Sequence, residues 1–149
     1  MLTDEIKKYI DKSVLCWLAT SSKDNIPNVS PKEVFTYFLD SNIIIANIAS
    51  PQTVRNIREN NKVCISFIDV FVQKGYQLKG EAQIIIKKDP SFISMESLLV
   101  EITKGKFPFA TITSISVEEI KPIIAPKYIL YPETTEEQQI ESALKLYQP

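Results

Sequence analysis

Between Asn42 and Ile68 the sequence reads as a buried strand, one short helix and a second buried strand, and this unit limits what the flanking chain can form. The run Ile43-Ile44-Ile45 and the segment Val63 to Ile68 are apolar stretches of strand length on either side of a polar, helix-forming segment. The start of that helix is sharply marked. Ser50 fits an N-cap, and Pro51 fits the first helical position, where its missing N–H costs nothing. The first turn, Pro51, Gln52 and Thr53, lacks the Asp or Glu that usually complements the macrodipole. Two readings stay open: a plain capped helix, or a helix end whose free N–H groups receive a foreign anion such as a phosphate.

The flanks repeat the strand theme. Residues 3–12 fit a short amphipathic helix capped by Thr3, with Ile6, Tyr9 and Ile10 on one face. Val14 to Thr20 reads as a strand centred on Trp17, and residues 21–25 as a turn. From Ile26 to Leu39 a second strand region carries Pro27 and Pro31, so its first half belongs at an edge or bulge. Asp40-Ser41-Asn42 closes a hairpin into Ile43 to Ile48. After the central helix, Lys62 to Val72 reads as a strand and Lys74-Gly75 as a turn. From Tyr76 to Lys87 the pattern alternates, broken only by Ile85, with Gly80 placed for a bend or close backbone approach. Asp89 and Pro90 suggest the cap and first residue of a helix ending near Gly105, with Met95, Leu98, Leu99 and Ile102 as its apolar face. Phe109 to Ile120 is the last long strand, residues 121–133 read as extended, and Thr135 with Gln138 fits a capping box opening a helix over Glu136 to Tyr147.

Six or seven strands joined mostly by hairpins predict a mainly β fold, an antiparallel β-barrel with short helices rather than a doubly wound sheet. The length of 149 residues fits one domain over 1–149, with a C-terminal extension at about 121–149. Several function classes are excluded or disfavoured. With no histidine, the Ser-His-Asp and Cys-His arrangements, His-ligated metal and the ordinary neutral-pH proton shuttle are absent, so no metal site is expected. Three glycines leave room for neither GxGxxG nor a P-loop. A net charge of −1 and no basic–aromatic stripe argue against nucleic acid. No apolar run approaches the roughly 20 residues of a membrane span, and acidic residues precede any apolar core at the N-terminus, so a cytoplasmic location is expected. Cys16 and Cys64, each in an apolar run and in no CxxC pattern, read as reduced core thiols.

The order of these pieces resembles the FMN-binding split barrels related to pyridoxamine 5′-phosphate oxidase. The resemblance covers roughly residues 5–120. It is carried by Leu18-Ala19-Thr20 and its turn, by Pro27-Asn28-Val29-Ser30-Pro31, by Asn47 to Asn56 with Ser50 and Thr53, and by Tyr76 to Ala82. The chain is closest in size to the compact FMN-binding members. The resemblance implies a split β-barrel and a homodimer with FMN at the interface. In the family the strand matching Asn28, Val29, Ser30, Pro31 and Lys32 lies along the isoalloxazine ring; on residues alone, the same strand is simply a proline-bearing edge. The phosphate site maps onto Ser50, Gln52, Thr53 and Asn56, with Asn47 at the start of that segment. Many members carry Lys or Arg where Gln52 stands. That departure leaves the positive charge to Lys32, Arg55 or Lys74, and implies that Gln52→Lys tightens FMN binding.

The implied function is FMN-dependent oxidoreduction of an unspecified small molecule, with a nicotinamide donor as one candidate partner. The chain ends Ser-Ala-Leu-Lys-Leu-Tyr-Gln-Pro, without the Arg-containing terminal motif of the true oxidases, which argues against pyridoxamine phosphate oxidase activity itself. No catalytic residue is assignable. The minimal barrel also fits a non-catalytic FMN carrier or reservoir, and Gln52 leaves open a barrel that binds haem, a deazaflavin or no cofactor.

Overall fold

A computed structural model describes all 149 residues. The chain forms α1 (Asp4–Lys12), β1 (Cys16–Ser21), β2 (Pro27–Lys32), β3 (Phe35–Phe38), β4 (Asn42–Ala46), α2 (Pro51–Glu59) and β5 (Lys62–Asp69). It continues through β6 (Lys74–Ile85), α3 (Phe92–Thr103), β7 (Ile112–Ile124), α4 (Pro126–Leu130) and α5 (Glu136–Tyr147). The strands make one seven-stranded sheet in the order β2-β1-β5-β6-β7-β4-β3, antiparallel at every step.

The shape of this sheet follows from one short link. β2 and β3 occupy opposite edges, yet only Glu33 and Val34 separate them in sequence. Three peptide steps span at most ~11 Å, whereas the edges of a flat seven-stranded sheet would lie roughly 29 Å apart at the usual strand spacing. The sheet must therefore curl until its edges approach. It closes as a split barrel, with a seam between β2 and β3 that carries no ladder.

Two cores result. Inside the barrel Leu18, Ile43, Ile45, Ile65, Leu78 and Ile115 are fully buried, and α1 closes one end with Ile6, Tyr9 and Ile10. Outside, Ile44, Ala46, Ile85 and Ile112 pack under Phe92, Met95 and Leu99 of α3. The Ile43-Ile44-Ile45 run is apolar throughout because β4 is covered on both faces. Ile85 departs from the alternation for the same reason, pointing to the face that α3 covers.

Several boundaries differ from the sequence expectation. The segment Ile26 to Leu39 is two strands on opposite edges. The turn after β5 is built by Val70 to Gln73, with Gln73 left-handed (φ 60°), while Lys74 and Gly75 already belong to β6. Gly75 is needed because a Cβ there would sit 2.0 Å from the Phe67 carbonyl oxygen of the neighbouring strand. α3 begins at Phe92 rather than Pro90, because the Asp89 carboxylate folds back to accept from the Ile86 N–H and closes a turn instead. Its buried face is Phe92, Met95, Leu99 and Thr103; Leu98 and Ile102 are exposed. β7 runs through Pro122 to Ile124. Beyond Val117 it pairs only with β6, so the missing N–H of Pro122 is tolerated on a free edge. Residues 126–130 are helical rather than extended. Cys16 is buried as expected, but Cys64 is only half-buried. The Thr135–Gln138 capping box at α5 forms in full, both hydrogen bonds at 3.1 Å. No helix is long and apolar enough to cross a membrane.

Candidate functional site

The seam between the barrel's edges opens into a cleft of about 310 Å³. Ser30, Pro31, Lys32 and Glu33 form one wall, Ala46 and Ile48 to Ser50 the other, and Phe107 reaches over from the loop after α3. The cleft exists because β2 and β3 converge here without pairing. Its second wall is bent by Ala49, held left-handed at φ 49°, which turns the chain out of β4 and aims the start of α2 at the seam.

Lys32 is the central residue. It is the last residue of β2, paired in register with Cys16, and only 8% exposed. Its Nζ donates to Ser50 Oγ at 2.8 Å and to Thr53 Oγ1 at 3.0 Å. Ser30 Oγ lies 3.5 Å from the same Thr53 hydroxyl. No carboxylate pairs with Lys32; the chain's four ion pairs all use other lysines. Burial therefore pushes the Lys32 ammonium below its ordinary range. An ammonium has three donors, and two are given to hydroxyls, so one remains.

The Ser50 position also differs from a simple cap. Its side chain makes no cap bond to α2; instead the hydroxyl donates to the Ile48 carbonyl at 3.0 Å and accepts from Lys32. The first turn of α2 contains no acid, as the sequence indicated. A buried cation, two hydroxyls and an uncapped helix start converge on one point. Such a set is rich in donors and suited to an oxyanion.

The remaining candidate residues divide clearly. Ser30, Pro31, Lys32, Ser50 and Thr53 come together at the cleft. Asn28 is half-buried on β2 and Val29 points outward, 60% exposed. Asn56 is buried and committed to the scaffold, donating to Thr20 Oγ1 at 3.0 Å and accepting from Gln52 Nε2 at 2.8 Å. It ties α2 to β1. Asn47 is similarly engaged, donating to Thr111 Oγ1 and accepting from Thr113 Oγ1. Gln52 lies on the exposed side of α2, between Asn56 and Arg55. Lys74 is engaged elsewhere, with Glu136 at 3.1 Å and over the Tyr128 ring. Arg55 is exposed, bonded to Gln52 and absent from the cleft wall, which leaves Lys32 as the cation beside Ser50 and Thr53. Cys16 lies beside it but is inert: burial pushes its thiol up to about 12.

Sequence reasoning missed the apolar side of the cleft, Val34, Ile48 and Phe107. Val34 and Ile48 sat inside expected strands, and Phe107 sits in a loop where no periodicity marks it. The signal that could have found Phe107 is composition: a large aromatic within Lys-Phe-Pro just after a helix-terminating glycine has no core to enter.

The fold and the matching relatives agree. Residues 2–123 match the family model for pyridoxamine 5′-phosphate oxidase. The structure superposes on HupZ of Group A Streptococcus with a TM-score of 0.72 at 26% identity, covering 84% of this chain and 96% of that one. It also superposes on an FMN-binding protein from Syntrophomonas wolfei with a TM-score of 0.68 over 80% of this chain and 84% of the other; at 18% identity this likeness concerns the fold alone. An uncharacterized protein of Methanocaldococcus jannaschii is 33% identical over 85 residues, 55% of each chain, so this chain spans about half the length of that relative. The family match extends over nearly all of the barrel, from α1 to the end of β7. The chain belongs to the pyridoxamine 5′-phosphate oxidase family.

Proposed function

We propose that the chain is an FMN-binding flavoprotein acting as an FMN-dependent oxidoreductase on a small molecule. The observation that carries this reading is the buried Lys32 ammonium, held by the Ser50 and Thr53 hydroxyls with no carboxylate partner. A cation in that condition gains from an anion that replaces lost solvation, and the dianionic phosphate of FMN is such a group. Lys32, Ser50, Thr53 and the first-turn N–H groups of α2 would hold the phosphate. β2, an edge strand with an unpaired side, would flank the ring with Ser30 and Pro31. FMN supplies the electron-transfer chemistry when bound, and the chain supplies position, charge and exclusion of water. The cleft, about 310 Å³, is at the low end for small-molecule pockets, which supports a site finished by a second copy of the chain.

The visible spectrum of the purified protein, with chromatography of the released chromophore, tests the assignment. Flavin bands and FMN are expected; no bands and no uptake on titration would refute it. Sedimentation is expected to give a dimer. Gln52→Lys adds a cation one residue from Thr53 and is expected to tighten FMN binding about two- to fivefold, as a partly exposed charge at a helix start does. Unchanged or weaker affinity in a fluorescence titration would mean that the phosphate lies elsewhere.

A second reading, an FMN carrier without turnover, is favoured by one feature. The only titratable side chains on the cleft wall are Lys32 and Glu33. Steady-state oxidation of NADH or NADPH with candidate acceptors separates the two: turnover supports the enzyme, and its absence in the flavin-loaded protein supports the carrier.

A further inference from the structure

On the other side of Ser50 lies a second cleft, about 500 Å³, between the outer face of α2 and the ends of β4 and β7. Its character differs from that of the seam cleft. Val54 and the Pro51 ring are apolar, and Arg55, Arg58, Glu59, Asn47 and Thr111 bring the polar groups. The two guanidiniums sit three residues apart on the helix and so share a face. Neither has a carboxylate partner. Arg55 gives one N–H to the neutral Gln52 Oε1 at 3.2 Å, and all four ion pairs of the chain use lysine. Arg55 and Glu59 are four apart and could pair, yet they do not. The Thr111 hydroxyl accepts from Asn47 and keeps its own proton to donate. Two guanidiniums against one carboxylate leave the cleft net positive and supplied with free donors, in a chain whose overall charge is −1.

We propose that this cleft is an oxyanion subsite that takes the phosphate or diphosphate of a phosphorylated co-substrate, separate from the Lys32 cradle. Paired arginine forks match phosphate oxygens bidentately, a geometry that a lone lysine does not offer. Ser50 lines both clefts, so a ligand anchored at Arg55 and Arg58 runs directly toward the seam. Naming the ligand a co-substrate rests on the flavoprotein reading; the preference for an anion rests on the arginines alone.

The test is calorimetric titration of FMN-saturated protein with pyrophosphate, and separately with succinate. R55A/R58A is compared with wild type and with K87A/K88A, which removes the same charge from two exposed lysines outside the cleft. Pyrophosphate affinity is expected to fall about tenfold or more in R55A/R58A and to stay within about twofold in K87A/K88A, while FMN affinity stays within about twofold in both. Three results would overturn the proposal. Equal losses in both double variants would mean diffuse charge. Loss of FMN affinity alongside pyrophosphate in R55A/R58A would give the arginines to the flavin phosphate. Succinate binding as tightly as pyrophosphate would remove the phosphate assignment. A protein that takes up no FMN fails the flavoprotein reading instead, and the R55A/R58A comparison on pyrophosphate still decides the anion site.

Discussion

Lys32→Met is expected to weaken FMN binding by about 30- to 1,000-fold, the cost of about 2–4 kcal/mol that follows removal of one member of a buried, hydrogen-bonded charge pair. Methionine matches the length of lysine but offers neither charge nor donor. The neighbouring hydroxyls are not orphaned by the change, since Ser50 Oγ still donates to the Ile48 carbonyl and Thr53 still faces Ser30. The unliganded fold should therefore survive, and can even gain stability, because a desolvated and unpaired ammonium is a burden on the free protein. The pH dependence of stability carries the same information. Burial lowers the folded-state pKa of Lys32 from its ordinary 10.5. Between that lowered value and 10.5 the unfolded chain binds more protons than the folded one, so stability rises with pH across this window. Lys32→Met abolishes that rise. FMN affinity unchanged within about threefold in the variant would place the phosphate away from this cradle.

Much of the barrel was legible because its strands obey short-range rules. The alternation from Tyr76 onward, the proline-bearing edge at Pro27 to Lys32 and the α5 capping box all follow from a residue and its near neighbours. The covering of β4 on both faces was legible too, since three successive isoleucines have no exposed side. Other features depend on what lies across the molecule. Ile26 to Leu39 looked like one strand region because Glu33-Val34 contains no turn residue. Only closure of the sheet makes that link the place where two edges meet. Leu98 and Ile102 fitted the helical apolar face as well as Phe92 does, and sheet geometry rather than periodicity decided between them.

The candidate site divides in the same way. The acid-free first turn of α2 could be read from Pro51-Gln52-Thr53, but the sequence made Ser50 its cap, and the structure instead gives that hydroxyl to the Ile48 carbonyl and to Lys32. The cation that meets it came only from the family resemblance, as one of Lys32, Arg55 and Lys74, for Lys32 lies 18 residues before Ser50 and 21 before Thr53 and only the fold brings them together. Asn47 and Asn56 share the segment with Ser50 and Thr53, but their amides are taken up by Thr111, Thr113, Thr20 and Gln52. A polar residue in a site segment is as often needed to fix that segment as to touch a ligand. Gln52 shows a third outcome: it stands where a basic residue was expected, yet faces along the helix toward Asn56 and Arg55.

Gly80→Ala is expected to destabilise the protein by about 3 kcal/mol or more, at or above the upper end of ordinary overpacking. Gly80 lies where the β6–β7 register shifts, and a Cβ at that position would sit 2.0 Å from the Ser116 carbonyl oxygen and 2.9 Å from its carbonyl carbon. Backbone, unlike the end of a flexible side chain, cannot turn aside. The strands would have to part by about 1 Å, stretching hydrogen bonds whose ordinary N···O distance is about 2.9 Å. The strain would fall on the most extensive pairing in the sheet, which runs from Lys74 opposite Ile124 to Ile85 opposite Ile112. It would also fall on a position held from the other side by the turn before β4, since Val117 N–H donates to the Ser41 carbonyl at 2.9 Å. Gly105 is the contrasting control. It has a left-handed φ of 73°, but a Cβ there would meet nothing within 4 Å, so Gly105→Ala should cost only the backbone penalty of about 1 kcal/mol. Urea denaturation monitored by Trp17 fluorescence measures both, and equal midpoints for the two variants would show that β6 and β7 do not approach as closely as the register requires.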